Sequence, residues 1–188
     1  TRHAEWDKQF RLLRQHAMSV PDTVRHGAAQ VIFEQYNSVG YNYRMTDIQA
    51  AVGREQLKRL PGIVAERRQR AEDYRSALSS IAGLGLHDEP AWARSNWQSF
   101  AVRLPQHVEQ RAAMQLLLDL GISTRRGVMC SHREPAYADL PQRHSLAHSE
   151  RAQDSTILLP LFPGMTADDQ SRVVAALRRA CDAAHDLA

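Results

Sequence analysis

Gly40-Tyr41-Asn42-Tyr43-Arg44-Met45-Thr46-Asp47-Ile48-Gln49-Ala50-Ala51-Val52-Gly53 begins as an aromatic, polar loop and becomes a helix. Thr46 can accept from the backbone N–H of Gln49 while the Gln49 side chain reaches back to the N–H of Thr46, so Thr-Asp-Ile-Gln reads as a capping box. Asp47 adds a negative charge where the helix dipole favours one. The box fixes the loop onto the helix start and projects Tyr41, Asn42, Tyr43 and Arg44, a set suited to holding an anionic ligand. The same residues also read as a tyrosine-rich helix start packed on a core, since capped helix starts are common.

Working outward, the helix is expected to run from Thr46 to about Leu60, where Pro61 either stops it or opens a new one at its first turn. Beyond the proline, Ile63, Val64, Arg67, Ala71, Tyr74, Leu78 and Ile81 recur every three or four residues. A long, bent helical arm is expected, closed by Gly83 and Gly85. Within it, Arg67-Arg68-Gln69-Arg70 sits beside Glu66 and Glu72 and reads as a solvated helix face rather than a nucleic-acid patch. Upstream, Trp6, Phe10, Leu13 and Ala17 stand at helical spacing over residues 5–18, as on a surface helix. Residues 19–40 lose this period: Pro21, Gly27 and Asn37 punctuate an irregular connection, with Val31-Ile32-Phe33 a candidate short strand.

After the arm the period changes from helical to alternating. Residues 96–104 put Gln98, Phe100, Val102 and Leu104 on one face and Trp97, Ser99, Ala101 and Arg103 on the other, which predicts a strand. Residues 107–120 read as a helix ended by Gly121, and 122–128 as a second strand followed by a polar, histidine-bearing segment to Leu146. A short helix over 145–156 leads to the apolar strand 157–162, whose Pro160 belongs near an edge. Thr166 caps a final helix with Asp168 and Asp169 in its first turn and Val173, Val174, Leu177 and Ala180 as its apolar stripe. The second half therefore reads as a small α+β domain, with Trp92 and Trp97 serving its core.

The 188 residues suffice for one domain with a proper core, or one small domain and a piece of another. No run approaches the roughly 20 apolar residues needed to span a bilayer, so no membrane partner is expected and a cytoplasmic location is. Cys130 and Cys181 lack the paired spacing of a zinc site or disulfide framework, so free thiols and no metal are expected. The net charge of +3 is spread among acids, which argues against nucleic acid as a partner. Lysine is scarce: of the 24 cationic residues only Lys8 and Lys58 are lysines. The chain opens at Thr1 directly on an amphipathic stretch, and a fragment with its amino-terminal part elsewhere is expected.

Four stretches in order resemble the DegT/StrS sugar aminotransferases: Leu12-Leu13-Arg14-Gln15-His16, Gly40 to Gln56, Arg67-Arg68-Gln69-Arg70-Ala71-Glu72-Asp73-Tyr74, and Leu159-Pro160-Leu161-Phe162-Pro163-Gly164-Met165-Thr166. The resemblance implies an α/β fold of the fold type I aminotransferase class, here partial. Residues 1–45 would end the large domain that binds pyridoxal phosphate, 46–82 would be interdomain helices, and 83–188 the small carboxy-terminal domain. It further implies a homodimer with shared active sites, and transfer of an amino group, usually from glutamate, onto a nucleotide-linked keto sugar. By the family pattern Thr1 falls just after the turn that follows the Schiff-base lysine. Neither Lys8 nor Lys58 stands in that lysine's context, so no catalytic residue is assigned and the chain alone is expected to be inactive.

What the resemblance leaves to this chain is a half-site. Asn42 matches the asparagine that reaches the cofactor phosphate of the neighbouring subunit, and Arg44 is the next candidate for it, or else pins the loop, for example to Asp47. Tyr41 and Tyr43 are substrate-side candidates that also suit simple packing. Thr124 to His132 matches the strand and loop at the substrate mouth, where Arg125 and Arg126 are candidate anchors for a diphosphate or a donor carboxylate. Many members carry His-Tyr-x-Pro there; Arg126-Gly127-Val128-Met129 departs from it, and His132 is either a substitute or a surface histidine. The other class of reading is a non-catalytic binding or dimerisation module whose cofactor loop is vestigial.

Overall fold

The computed structural model describes every residue except 21–23, 25, 26, 138, 140, 142 and 184–188. Its elements in chain order are helix α1 (Ala4–Leu13), helix α2 (Asp47–Leu78), strands β1 (Gly85–Leu86) and β2 (Phe100–Arg103), helix α3 (Gln110–Asp119), strand β3 (Arg125–Arg126), helix α4 (Ala147–Ser155), strand β4 (Thr156–Leu159) and helix α5 (Ala167–Ala183). Two 3-10 turns, Ser131–Arg133 and Pro135–Tyr137, separate β3 from α4. The chain divides into two units, Thr1–Lys58 and Arg59–Ala188, and the division falls inside α2. The α/β class read from the sequence is the one observed.

In the second unit the sheet is antiparallel, in the order β1-β2-β4-β3. Its register places Phe100 opposite Leu159 and Val102 opposite Ile157, and these four apolar side chains form the buried face. Tyr74, Leu78, Leu117, Val173 and Leu177 close over them from α2, α3 and α5. Arg103 opposite Thr156 and Ala101 opposite Leu158 belong to the outer face, since neighbouring residues of a strand point opposite ways. Trp97 is buried in this core as expected, whereas Trp92 is 89% exposed and takes no part in it.

Helix ends follow their side chains. Thr46 and Gln49 form the expected box, with Thr46 N donating to Gln49 Oε1 at 3.0 Å and Gln49 N to Thr46 Oγ1 at 3.3 Å. Thr166 and Asp169 form a second one at α5, and the Thr166 hydroxyl and then its N–H, both donating to the Asp169 carboxyl, hold that carboxyl below its usual range. Glu109 caps α3 through the N–H groups of Arg111 and Ala112. Gly121 follows α3 with φ +77°, the left-handed conformation that glycine adopts freely.

Pro61 neither stops nor restarts the helix: α2 is one helix from Asp47 to Leu78 with the proline inside it. Strand β2 is shorter than the alternation of residues 96–104 implies. Ser95 Oγ accepts from Trp97 N, Asn96 Oδ1 accepts from Gln98 N, and Trp97 sits at φ +49°, so side chains take the donors a ladder would need. Residues 31–33 form no strand; Val31 and Phe33 are exposed, and the pairing there is Met18 with Tyr36. Pro21 lies outside the described residues.

The arginine run of α2 is not a solvated face. Arg67 Nη1 donates to the carbonyls of Trp97, Gln98 and Leu161 at 3.1, 2.9 and 3.1 Å. Arg68 donates to Ser95 O and Glu89, and Arg75 to His87 O. Tyr74 is fully buried, donates to Pro160 O at 3.0 Å and packs its ring 5.0 Å from that of Phe100. Burial, with the Asp169 charge behind it, pushes the Tyr74 hydroxyl well above its ordinary value and keeps it a neutral donor. Tyr74→Phe leaves Pro160 O without this donor, at an expected cost of about 1–3 kcal/mol. Leu78→Ala empties a fully buried site, at an expected 2–5 kcal/mol. Urea unfolding of the two variants would order them this way.

Candidate functional site

The loop 40–44 is seated by backbone hydrogen bonds. Tyr41 N donates to Leu13 O at 2.7 Å, Tyr43 N to Arg14 O at 3.0 Å, and His16 N to Tyr41 O at 2.9 Å, so Asn42 lies opposite Gln15 in a short antiparallel bridge. The receiving chain turns sharply, with His16 and Ala17 at φ +61° and +57°. Gly40 is required by that contact. A Cβ there would stand 2.1 Å from Ala17 N and 2.2 Å from the His16 carbonyl carbon.

Extended backbone alternates its side chains, so Tyr41 and Tyr43 share a side. Their rings stack at 5.3 Å with planes 7° apart, and both are exposed. Asn42 and Arg44 are exposed as well. From Gly40 to Met45 the segment contains donors and no carboxylate. A phosphate fits such a set.

The other predicted residues belong to the second unit. Arg125 and Arg126 form the exposed edge strand β3, opposite Leu158 and Ile157, and so point to opposite faces. Arg126 pairs with Glu134 at 3.3 Å. His132 is not a free surface histidine: it is half-buried and its Nε2 donates to Glu150 Oε1 at 2.8 Å. Arg133 joins Glu150 at 3.4 Å and Asp154 at 2.7 Å, while Gln153 accepts from Cys130 N. Glu150, Gln153 and Asp154 are spaced as one face of a helix, and this row ties residues 130–133 to α4. Reading Cys130 to His132 from that segment alone missed it; the row on α4 was the available signal.

His132 lines a cleft of about 320 Å³ with Tyr137, Arg143 and His144. The Glu150 carboxyl is held below its ordinary value, first by the hydrogen bond from His132 and then by the charge of Arg133. Lys8 is exposed on α1, and Lys58 is exposed and paired with Glu55 at 2.6 Å. Among the described residues no group of three or more His, Cys, Asp or Glu could hold a metal ion, and no helix is long and apolar enough to cross a membrane.

The profile of the DegT/DnrJ/EryC1/StrS aminotransferase family matches residues 1–178. The chain belongs to this family. Among solved structures it is similar to the aminotransferase TlmJ from Streptoalloteichus hindustanus, at 28% identity and TM-score 0.76 over 97% of this chain and 46% of that one. DesV of S. venezuelae, solved in complex with a ketimine intermediate, matches at 26% identity and TM-score 0.79, again over 97% and 46%. PseC of Helicobacter pylori, an aminotransferase of pseudoaminic acid biosynthesis, matches at 18% identity and TM-score 0.80 over 97% and 48%, a likeness of fold. The chain spans about half the length of these structures. The cofactor of the DegT/DnrJ/EryC1/StrS family is pyridoxal phosphate.

Two expectations follow from this geometry. Gly40→Ala should break the seat of the family's loop, and the amides of Tyr41 and Tyr43 should lose protection from hydrogen exchange while those of α5 keep theirs. Because the Glu150 pKa is depressed on folding, its pairing with His132 and Arg133 contributes fully above the ordinary glutamate range and is lost as the pH falls through the lowered value. Exchange in residues 130–137 should therefore rise on acidification, and Glu150→Gln should show the raised rate already at pH 7.

Proposed function

We propose that this chain is the carboxy-terminal part of a pyridoxal-phosphate-dependent sugar aminotransferase, which moves an amino group, from glutamate, to a nucleotide-linked keto sugar. In the complete homodimer, Asn42 and Arg44 bind the phosphate of the neighbouring subunit's cofactor. The observation that carries this reading is the loop itself. A family motif made of donors, seated rigidly by three backbone hydrogen bonds and a glycine contact, presents Asn42 and Arg44 to solvent.

The bound cofactor supplies the electron sink for amino transfer. This chain's part is to hold and orient: the Asn42 amide donates without adding charge, and the Arg44 guanidinium offers two parallel donors. Tyr41 and Tyr43 offer a stacked aromatic surface beside them, on the substrate side. Arg125 and Arg126 are anchors for a diphosphate or a donor carboxylate, and His132 borders the substrate mouth with its ring fixed by Glu150. The Schiff-base lysine comes from the part of the protein outside this chain, since Lys8 and Lys58 lack its setting. Residues 1–45 then end the large domain, 46–82 link the domains, and 83–188 form the small one.

The exposed apolar side chains of the first unit agree with a body that is covered in the complete protein. Trp6, Phe10, Ile48, Val52 and Leu57 are all more than half exposed. The test uses the complete protein. Asn42→Ala should release pyridoxal phosphate at least 10-fold faster on dialysis, followed by the loss of its visible absorbance, with folding unchanged by circular dichroism. Retention equal to the parent would remove Asn42 from the cofactor site, and a complete protein that holds no pyridoxal phosphate would favour the vestigial binding module.

A further inference from the structure

Four basic side chains that are far apart in sequence meet in one cleft of the second unit. His87 follows β1, Arg103 ends β2, and His148 and Arg151 lie on α4; together they line a cleft of about 380 Å³ against the outer face of the sheet. Arg103 is set there by the strand opposite. Gly85 is its partner in the register, and a Cβ on Gly85 would stand 2.9 Å from Arg103 Nε and 3.0 Å from Nη2. The guanidinium thus lies against the bare main chain of β1.

Among the described residues no carboxylate lines the cleft. The acids nearest in sequence are turned to other cations: Asp88 pairs with Arg75 at 3.5 Å, Glu150 with His132 and Arg133, and Asp154 with Arg133. Among the described residues, neither Arg103 nor Arg151 has an ion pair or a hydrogen bond from its guanidinium. Permanent cations gathered without counter-charge in a recess raise the local potential and draw an anion. The recess sits at the Arg103–Thr156 end of β2 and β4, opposite the Phe100–Leu159 end where Arg67 binds the carbonyls.

We propose that this cleft is a binding site for a phosphate-bearing small molecule of about mononucleotide size, with Arg103 and Arg151 as the phosphate ligands. The volume is that of a small-molecule pocket. Its concave form suits a discrete anion better than a membrane surface, and among the described residues no Phe, Tyr or Trp lines it to stack unpaired bases. Planar guanidinium forks are the side chains best matched to phosphate oxygens. Ser155 and Thr156 border the same recess with hydroxyls. The site is independent of the proposed sugar-nucleotide anchors, since Arg125, Arg126 and His132 do not line it.

Pyrophosphate is the probe, titrated calorimetrically into the complete protein loaded with its cofactor. The double variant Arg103→Gln/Arg151→Gln should weaken pyrophosphate binding at least 10-fold. Both side chains are exposed, so folding should be unchanged by circular dichroism. Ala152→Glu, which puts a carboxylate into the cleft from the exposed face of α4, should do the same, while Arg125→Gln/Arg126→Gln should leave this binding intact. Parental affinity in both cleft variants would overturn the proposal. Loss confined to Arg125→Gln/Arg126→Gln would likewise overturn it and would support the sugar-nucleotide reading instead. Binding of an RNA oligonucleotide or of phosphatidylserine vesicles more tightly than pyrophosphate, through the same two arginines, would replace the small-molecule occupant.

Discussion

The guanidinium of Arg67 occupies the point where two segments leave the sheet. Strand β2 is approached through Trp97 and Gln98, and β4 is left through Pro160 and Leu161, so carbonyls on both sides have no ladder partner. Arg67 meets three of them, and Tyr74, two turns on, meets that of Pro160. Arg68 and Arg75 extend the pattern to Ser95 and His87. The helix therefore does for the 87–98 segment what a further strand would have done. Buried or half-buried carbonyls must be paired, and a single nitrogen, Nη1 of Arg67, serves three of them.

The residues proposed for function rest on the same device. Loop 40–44 has no regular structure, yet its amides and carbonyl are bonded to residues 13, 14 and 16, and Gly40 allows the backbones to touch. Residues 130–133 have only a single 3-10 turn, yet Gln153, Glu150 and Asp154 fasten them to α4. In both cases irregular backbone carries the candidate groups while a neighbouring segment fixes it, the end of α1 and the turn after it for the loop, and α4 for residues 130–133. Side chains that must meet a ligand can then point outward without their loop collapsing onto the core.

What was legible in the sequence was what neighbours in sequence decide. The Thr46–Gln49 box, Thr166 at the start of α5, Gly121 after α3 and the apolar stripe of α5 all depend on residues within a turn or two of each other. Strand length was not legible, because Ser95 and Asn96 divert the amides of Trp97 and Gln98 and the alternation continues past the ladder. The arginine run was misread for a related reason. Beside Glu66 and Glu72 it has the composition of a solvated face, and only the fold brings the carbonyls of residues 95, 97, 98 and 161 against it. Trp92 shows the converse: an aromatic residue suits a core by type, but the segment carrying it stays outside.

Charge was the least legible quantity of all. Averaged along the chain, the excess of +3 looks evenly mixed with acids, which argues against nucleic acid as a partner and points to no local basic cluster. The antiparallel register undoes that average. It sets Arg103 beside Thr156, and the fold lines one cleft with residues of α4 and of the end of β1, so gathering His87, Arg103, His148 and Arg151, while it sends Asp88, Glu150 and Asp154 to other cations. The acids that appear to neutralise the basic residues in the sequence are, in space, employed in fastening Arg75, His132 and Arg133. Mixed charge along a chain is therefore compatible with unmixed charge in a recess, and the pairing of strands decides which holds.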